Sequence, residues 1–163
     1  MEKEFLEIVK ANQGIIHKVC NIYCDDEDDR NDLVQEILAQ LWRSYPSFRK
    51  EAKFTTWMYK VAINTAITAF KKTKRKPDKT RLTFDNFQIP DDNSAQIKED
   101  NLRLLREAVS KLSGIEKSII LLFLENKGYE EIAEITGITQ NYVRVKMNRI
   151  KKKLKILITA EEE

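Results

Sequence analysis

The sequence is poor in residues that break or pin a chain. Its 163 residues include four glycines, three prolines, two cysteines and one histidine. So little Gly and Pro, against many Leu, Ile, Lys and Glu, favours an all-α fold. There is no Gly-rich loop to cradle phosphates. His17 is the lone histidine, so no second imidazole can complete a proton relay. No pair of acids stands in an apolar context, and an enzyme reading has no constellation to rest on. No apolar run reaches membrane-spanning length, and the opening MEKEFLEIVK does not read as a signal peptide. These absences predict a cytoplasmic protein with no membrane insertion and with reduced cysteines. His17, Cys20 and Cys24 fall within two turns of one helix. Three candidate ligands, one on a buried stripe, make a poor metal site. A disulfide between two positions four apart in a helix is also geometrically poor. No metal or cofactor is expected.

Charge, by contrast, is abundant and segregated. Charged residues make up 34% of the chain, yet the net charge is only +3. Residues 25–36 hold seven acids and one base, residues 71–81 seven bases and one acid, and residues 85–100 five acids and one base. Such blocks point to polyanion-binding patches and, separately, to an acidic face for a basic protein partner.

The segment from Gly128 to Lys155, GYEEIAEITGITQNYVRVKMNRIKKKLK, reads as two helices joined by a tight turn. This is the layout of a helix-turn-helix that lays its second helix in a major groove. Val143, Met147, Ile150 and Leu154 recur at helical spacing and form the inward stripe. Asn141, Arg144, Val145, Asn148 and Lys152 form another stripe, with Arg149 beside it and Gln140 at the helix start. Arg can fork onto guanine, Asn can pair with adenine, and Val can touch a thymine methyl. Between Arg144 and Lys155 stand seven Lys or Arg and no acid, a run suited to phosphates. Ile132 and Ala133 face inward on the first helix, and Gly137 sits where the turn calls for positive φ. An ordinary helical hairpin with a solvated basic face would explain the charge but not the Ala, Gly and Val spacing.

Periodicity predicts further helices upstream. Residues 3–24 read as helix with a break near Gly14. The run CDDEDD then caps a helix to about Tyr45, stopped by Pro46. Its expected buried stripe is Leu33, Val34, Ile37, Leu38, Leu41 and Trp42; Asp32, Gln35, Glu36, Ala39 and Arg43 lie opposite. Thr55 or Thr56 is expected to cap a helix from about Trp57 to Lys74, with Trp57, Met58, Val61 and Ala62 inward. Lys60, Asn64, Ile67 and Lys71 share another face. Pro77, Pro90 and the Asp-Asp-Asn-Ser cluster mark a linker, in which Leu82, Phe84, Phe87 and Ile89 are apolar. Helical spacing resumes at Leu102, and a helix from Ile115 to Asn126 contains the apolar run Ile119–Leu124, which needs cover on nearly all sides.

The stretches DLVQEILAQLW at 32–42 and SFRKEAKFTTWMYKVAINTA at 47–66 resemble region 2 of bacterial sigma factors of the sigma-70 family, extracytoplasmic-function (ECF) class. LREAVSKLSGIEKSIILLF and the helix-turn-helix after it resemble region 4 of the same family. The resemblance covers nearly the whole chain and leaves no room for the extra N-terminal region or the region 3 of larger members. It implies an all-α protein of two small helical domains, the second a winged-helix-like helix-turn-helix: region 2 at 1–76, a flexible linker at 77–97 and region 4 at 98–160. It implies a dissociable subunit, monomeric when free, that directs core RNA polymerase to promoter DNA and is often restrained by an anti-sigma factor.

The family pattern also assigns parts to residues. Asp32, Gln35 and Glu36 match the face that docks on the polymerase clamp helices. Phe48 and Arg49 in the loop and Asn64 on the next helix match positions that hold an unstacked base of the −10 element. Lys50, Lys53, Lys60, Lys71 and Lys72 are placed to hold that strand's phosphates. Phe48 is equally suited to a core anchor and Asn64 to a plain surface amide. Arg144, Val145, Asn148 and Arg149 match −35 base-reading positions, while Lys146, Lys151, Lys152 and Lys153 suit phosphates. Val145 and Asn148 depart from the residues common in the family, which implies a different −35 sequence. Ser113-Gly114 replaces the usual Pro near the start of the preceding helix. The competing reading is a stand-alone helix-turn-helix regulator with a helical sensing or dimerisation domain.

Overall fold

The computed structural model describes residues 2–48, 53–74 and 95–162. Among them are eight α-helices and one 3-10 turn, and no strand. Helix α1 (Glu2–Ala11) and α2 (Gln13–Tyr23) meet at Asn12, ahead of the expected break at Gly14. Asn12 Nδ2 donates to the Ile8 carbonyl at 2.9 Å and so ends the first helix locally. Helix α3 (Glu27–Ser44) starts where the acidic run predicts. The Asp26 side chain accepts the Asp29 N–H, and Glu27, Asp28 and Asp29 oppose the positive end of the helix. Leu33, Ile37 and Leu41 are buried and Val34 and Leu38 are half-buried. Trp42, expected on the same stripe, is 46% exposed. It stands about 100° round the helix from Leu41, and its ring meets that of Phe5 in a tilted contact with the centroids 5.0 Å apart.

Pro46 sits in the 3-10 turn Tyr45–Ser47. Helix α4 (Phe54–Lys74) begins ahead of Trp57, so Thr55 and Thr56 lie inside its first turn and do not cap it. Thr56 is instead buried, and its hydroxyl donates to the Glu131 carboxylate at 3.0 Å. Met58, Tyr59, Ala62, Ile63 and Ala66 are buried. The small Ala62 and Ala66 let α4 pack closely on α2 and α3, its main partners.

The second group comprises α5 (Ala95–Ser110), α6 (Gly114–Leu124), α7 (Tyr129–Thr136) and α8 (Gln140–Glu162). The first residues of α5 fall within the stretch expected as linker. Leu82, Phe84, Phe87 and Ile89 lie outside the described residues. Helix α6 starts at Gly114 because Ser113 and Glu116 form a reciprocal capping box. The Ser113 N–H donates to Glu116 at 2.9 Å, and the Glu116 N–H donates to the Ser113 hydroxyl at 3.3 Å. The S-x-x-E spacing was the signal that could have located this start. Ile119 to Leu122 are buried, whereas Phe123 is 37% and Leu124 57% exposed. The apolar run therefore needs full cover only in its first four positions, because the end of the short helix reaches the surface.

Candidate nucleic-acid interface and docking faces

The helix-turn-helix is built by α7, its turn and α8. Gly137 ends α7 with φ +78°, and its N–H bonds the Ala133 carbonyl at 2.9 Å. This left-handed cap redirects the chain within two residues, which is why glycine is there. The Thr139 hydroxyl accepts the Tyr142 N–H at 3.1 Å and caps α8. Val143, Met147 and Ile150 are at most 1% exposed, and Leu154 is also buried. They lock α8 onto α6 and α7 and fix which face looks outward.

That outward face carries Gln140, Asn141, Arg144, Val145, Asn148, Arg149 and Lys152, all exposed. Lys146 is half-buried, with its ammonium 5.7 Å from the centroid of the Tyr142 ring. The Arg144 guanidinium lies 6.0 Å from the Tyr129 ring, which orients it without burying it. Two lysines of the basic run have partners in α6. Lys151 stands 5.1 Å over Phe123, and Lys153 bridges to Glu116 at 3.3 Å. Burial disfavours the ionised Glu116 carboxyl, but hydrogen bonds from the Ser113 N–H and side chain, together with Lys153, outweigh it and hold the group below the usual carboxylate range.

On α3, Asp32, Gln35 and Glu36 project into solvent from one face, and Glu36 accepts a 3.1 Å hydrogen bond from Gln40. Lys53 is exposed just ahead of α4, and Lys60, Asn64, Lys71 and Lys72 are exposed along it. Arg49 and Lys50 lie outside the described residues. Phe48 is half-buried, with its ring centroid 5.0 Å from Trp57 and 5.6 Å from Phe54, perpendicular to the latter. It is thus an aromatic anchor with one side open. Trp57 belongs to this half-buried cluster, and the fully buried stripe of α4 is offset from it. Ile67 does not share the open face with Asn64. A Cβ at Gly114 would lie 3.7 Å from it and 3.4 Å from Phe70.

The contacts between the two helical groups were not foreseen from the sequence. The Tyr23 hydroxyl donates to the Gly114 carbonyl. Lys18 bridges to Glu125 at 2.8 Å. Lys117 is only 3% exposed, and its ammonium lies 4.4 Å from the Phe70 centroid and 5.9 Å from that of Tyr23. Lys127 stands 5.6 Å over Tyr59. Burial pushes the Cys20 thiol up to about 12, helped by Cys24. Burial and the carboxylates of Asp29 and Asp25 push Cys24 to about 12 as well. Both thiols are free, and among the described residues no group of three or more His, Cys, Asp or Glu could hold a metal ion. No described helix is long and apolar enough to cross a membrane.

Residues 8–76 match sigma-70 region 2, and residues 102–154 match sigma-70 region 4. RNA polymerase sigma factor SigV of Bacillus subtilis is 32% identical over 147 residues, covering 86% of this chain and 82% of that protein. The chain belongs to the sigma-70 family, in its ECF class. The ECF RNA polymerase sigma-E factor of Escherichia coli K12 is 27% identical over 146 residues, covering 82% of this chain and 76% of that protein. The fold matches the sigma factor RpoE solved with the anti-sigma factor NepR from Bartonella quintana. The TM-score is 0.73 at 19% identity, over 96% of this chain and 98% of that one. CnrH, solved with the cytosolic domain of CnrY, matches with a TM-score of 0.70 at 16% identity, over 98% of this chain and 90% of that one. As a sigma factor, the chain is a transcription initiation factor that directs RNA polymerase to promoters.

Proposed function

We propose that this sigma factor divides its work between two domains, at 1–76 and 98–160, joined by residues 77–97. Asp32, Gln35 and Glu36 on α3 dock on core polymerase. Acids one turn apart repel in an isolated helix, and a basic partner relieves that repulsion. Phe48, Arg49 and Asn64 hold an unstacked −10 base, while Lys50, Lys53, Lys60 and Lys71 hold its strand. Asn64 offers both a donor and an acceptor to a base edge. Arg144, Val145, Asn148 and Arg149, with Gln140 and Asn141 at the helix start, read the −35 duplex, and Lys146 and Lys152 contact phosphate. The protein acts in the cytoplasm, carries out no catalysis of its own, is monomeric when free and is restrained by an anti-sigma factor.

The observation that carries this reading is the pair of opposed surfaces within a two-region sigma factor: an exposed acidic face on α3 and exposed cationic faces on α4 and α8. Run-off transcription with added core polymerase tests it. A promoter-specific transcript only in the presence of both proteins is expected. Tight specific duplex binding by the chain alone, with no polymerase-dependent transcript, would instead establish a stand-alone regulator.

A further inference from the structure

Val143, Met147, Ile150 and Leu154 mark the buried side of α8. At about 100° per residue, Val145 and Lys152 stand opposite that side, and Arg144 stands about 80–100° from them, on a flank. A guanidinium on the flank must be swung over to reach a base edge in the groove. A free Arg side chain loses much rotamer freedom in doing so, and that loss weakens binding. What holds Arg144 before DNA arrives therefore bears on how well it reads.

The holder is an aromatic ring from another helix. Tyr129 is the first residue of α7, half-buried and packed against the core, with the fully buried Ile132 one turn on. Its ring is thus fixed, while the Arg144 guanidinium 6.0 Å from its centroid stays exposed. Among the described residues no carboxylate forms an ion pair with Arg144. The distinction matters chemically. A carboxylate would occupy the N–H donors that guanine O6 and N7 need, whereas a ring attracts the cation through its π face and leaves those donors free. Lys146 over Tyr142 and Lys151 over Phe123 are held in the same way. Lys153, tied to the Glu116 carboxylate at 3.3 Å, shows the opposite arrangement.

We propose that Tyr129 is a specificity-determining positioning residue: its ring holds the Arg144 guanidinium ready for a base edge, so that −35 preference depends on a side chain outside the recognition helix. The proposal rests on the −35 reading assigned to Arg144 above. It places Tyr129 behind Arg144, acting through it and not on the base.

Binding of the full-length chain with core polymerase to a panel of −35 duplexes, across a salt series, tests this. Arg144→Ala should relax preference at one base position. Tyr129→Leu keeps an apolar anchor but removes the π face. It should relax preference at the same position and weaken binding to the preferred sequence about 2- to 5-fold. The slope of affinity against salt should not change, because the number of cations is unchanged. Tyr129→Phe keeps the ring and should behave as wild type. In the Arg144→Ala background, Tyr129→Leu should have no further effect. Unaltered preference in Tyr129→Leu, where Arg144→Ala has lost it, overturns the brace alone. So does a Tyr129→Phe variant as impaired as Tyr129→Leu, which would mean that the hydroxyl itself touches DNA. An equal loss from Tyr129→Leu with and without Arg144 overturns it too, since that loss would come from the fold of α7. Unaltered preference in Arg144→Ala overturns the −35 reading of Arg144 and the brace's role together.

Discussion

Lys117 of α6 rests against the ring of Phe70 of α4, with its ammonium 4.4 Å from the ring centroid and the residue only 3% exposed. A lysine this buried is rare unless something on the far side justifies it. Here the far side is the other helical group, so a residue of the region 4 match completes the surface of the region 2 match. The pair joins two stretches of sequence that each look self-sufficient when read alone.

Arg144→Ala and Arg149→Ala should each weaken polymerase-dependent binding to the −35 duplex by about 1–3 kcal/mol and relax preference at one base position. The helix itself should be unaffected, because the residues that hold it, Val143, Met147 and Ile150, lie on the opposite face. Binding to a panel of −35 variants, alongside helicity by circular dichroism, checks both points.

Asn64→Ala should leave closed-complex formation intact and reduce strand opening about tenfold, a loss of ~1.4 kcal/mol. Permanganate reactivity of unstacked thymines at the −10 element measures this. Equal opening by wild type and variant would return Asn64 to the rank of a surface amide.

Glu36→Lys should lower the rate of association with core polymerase several-fold at low salt, with the difference shrinking as salt rises. Glu36 is exposed and accepts an exposed hydrogen bond from Gln40 one turn along the same helix, so thermal stability should change little. Stopped-flow association across a salt series provides the test.

Glu116 links stability to pH. Its folded carboxyl titrates below its ordinary value of 4.5. A depressed folded value contributes stability that is present above the unfolded value and is lost as pH falls through the folded one. Melting temperature should therefore fall below about pH 4.5, and Glu116→Gln should flatten that part of the profile. Ser113→Ala, which removes the other half of the capping box, should cost about 0.5–2 kcal/mol at neutral pH.

Cys20 and Cys24, both pushed up to about 12, should resist alkylation of the native protein at about pH 8. In denaturant both should react rapidly. Fast labelling of the native chain would mean that α2 opens locally on the labelling timescale.

The helix-turn-helix was legible from sequence because its signals are local. The inward spacing of Val143, Met147, Ile150 and Leu154 and the Gly137 turn each follow from neighbours within a few residues, and all four stripe residues are buried as that spacing requires. The same holds for the Asp26 cap and for the exposed face of Asp32, Gln35 and Glu36. Trp42 was misplaced because burial depends on what stands opposite a helix, and periodicity cannot report that. Thr56 was mistaken for a cap because its real partner, Glu131, lies 75 positions away.

The sequence by itself thus determined an all-helical chain, its sigma-type regions, and the cationic and acidic faces, since each depends on side-chain order along a single helix. Only the tertiary structure decided that α4 has a second covered face, that Lys117 is buried against Phe70, and that Lys153 is tied to Glu116. Those outcomes depend on how two helical groups approach one another. That approach is set by the sum of many weak contacts between distant segments, and no local pattern encodes it.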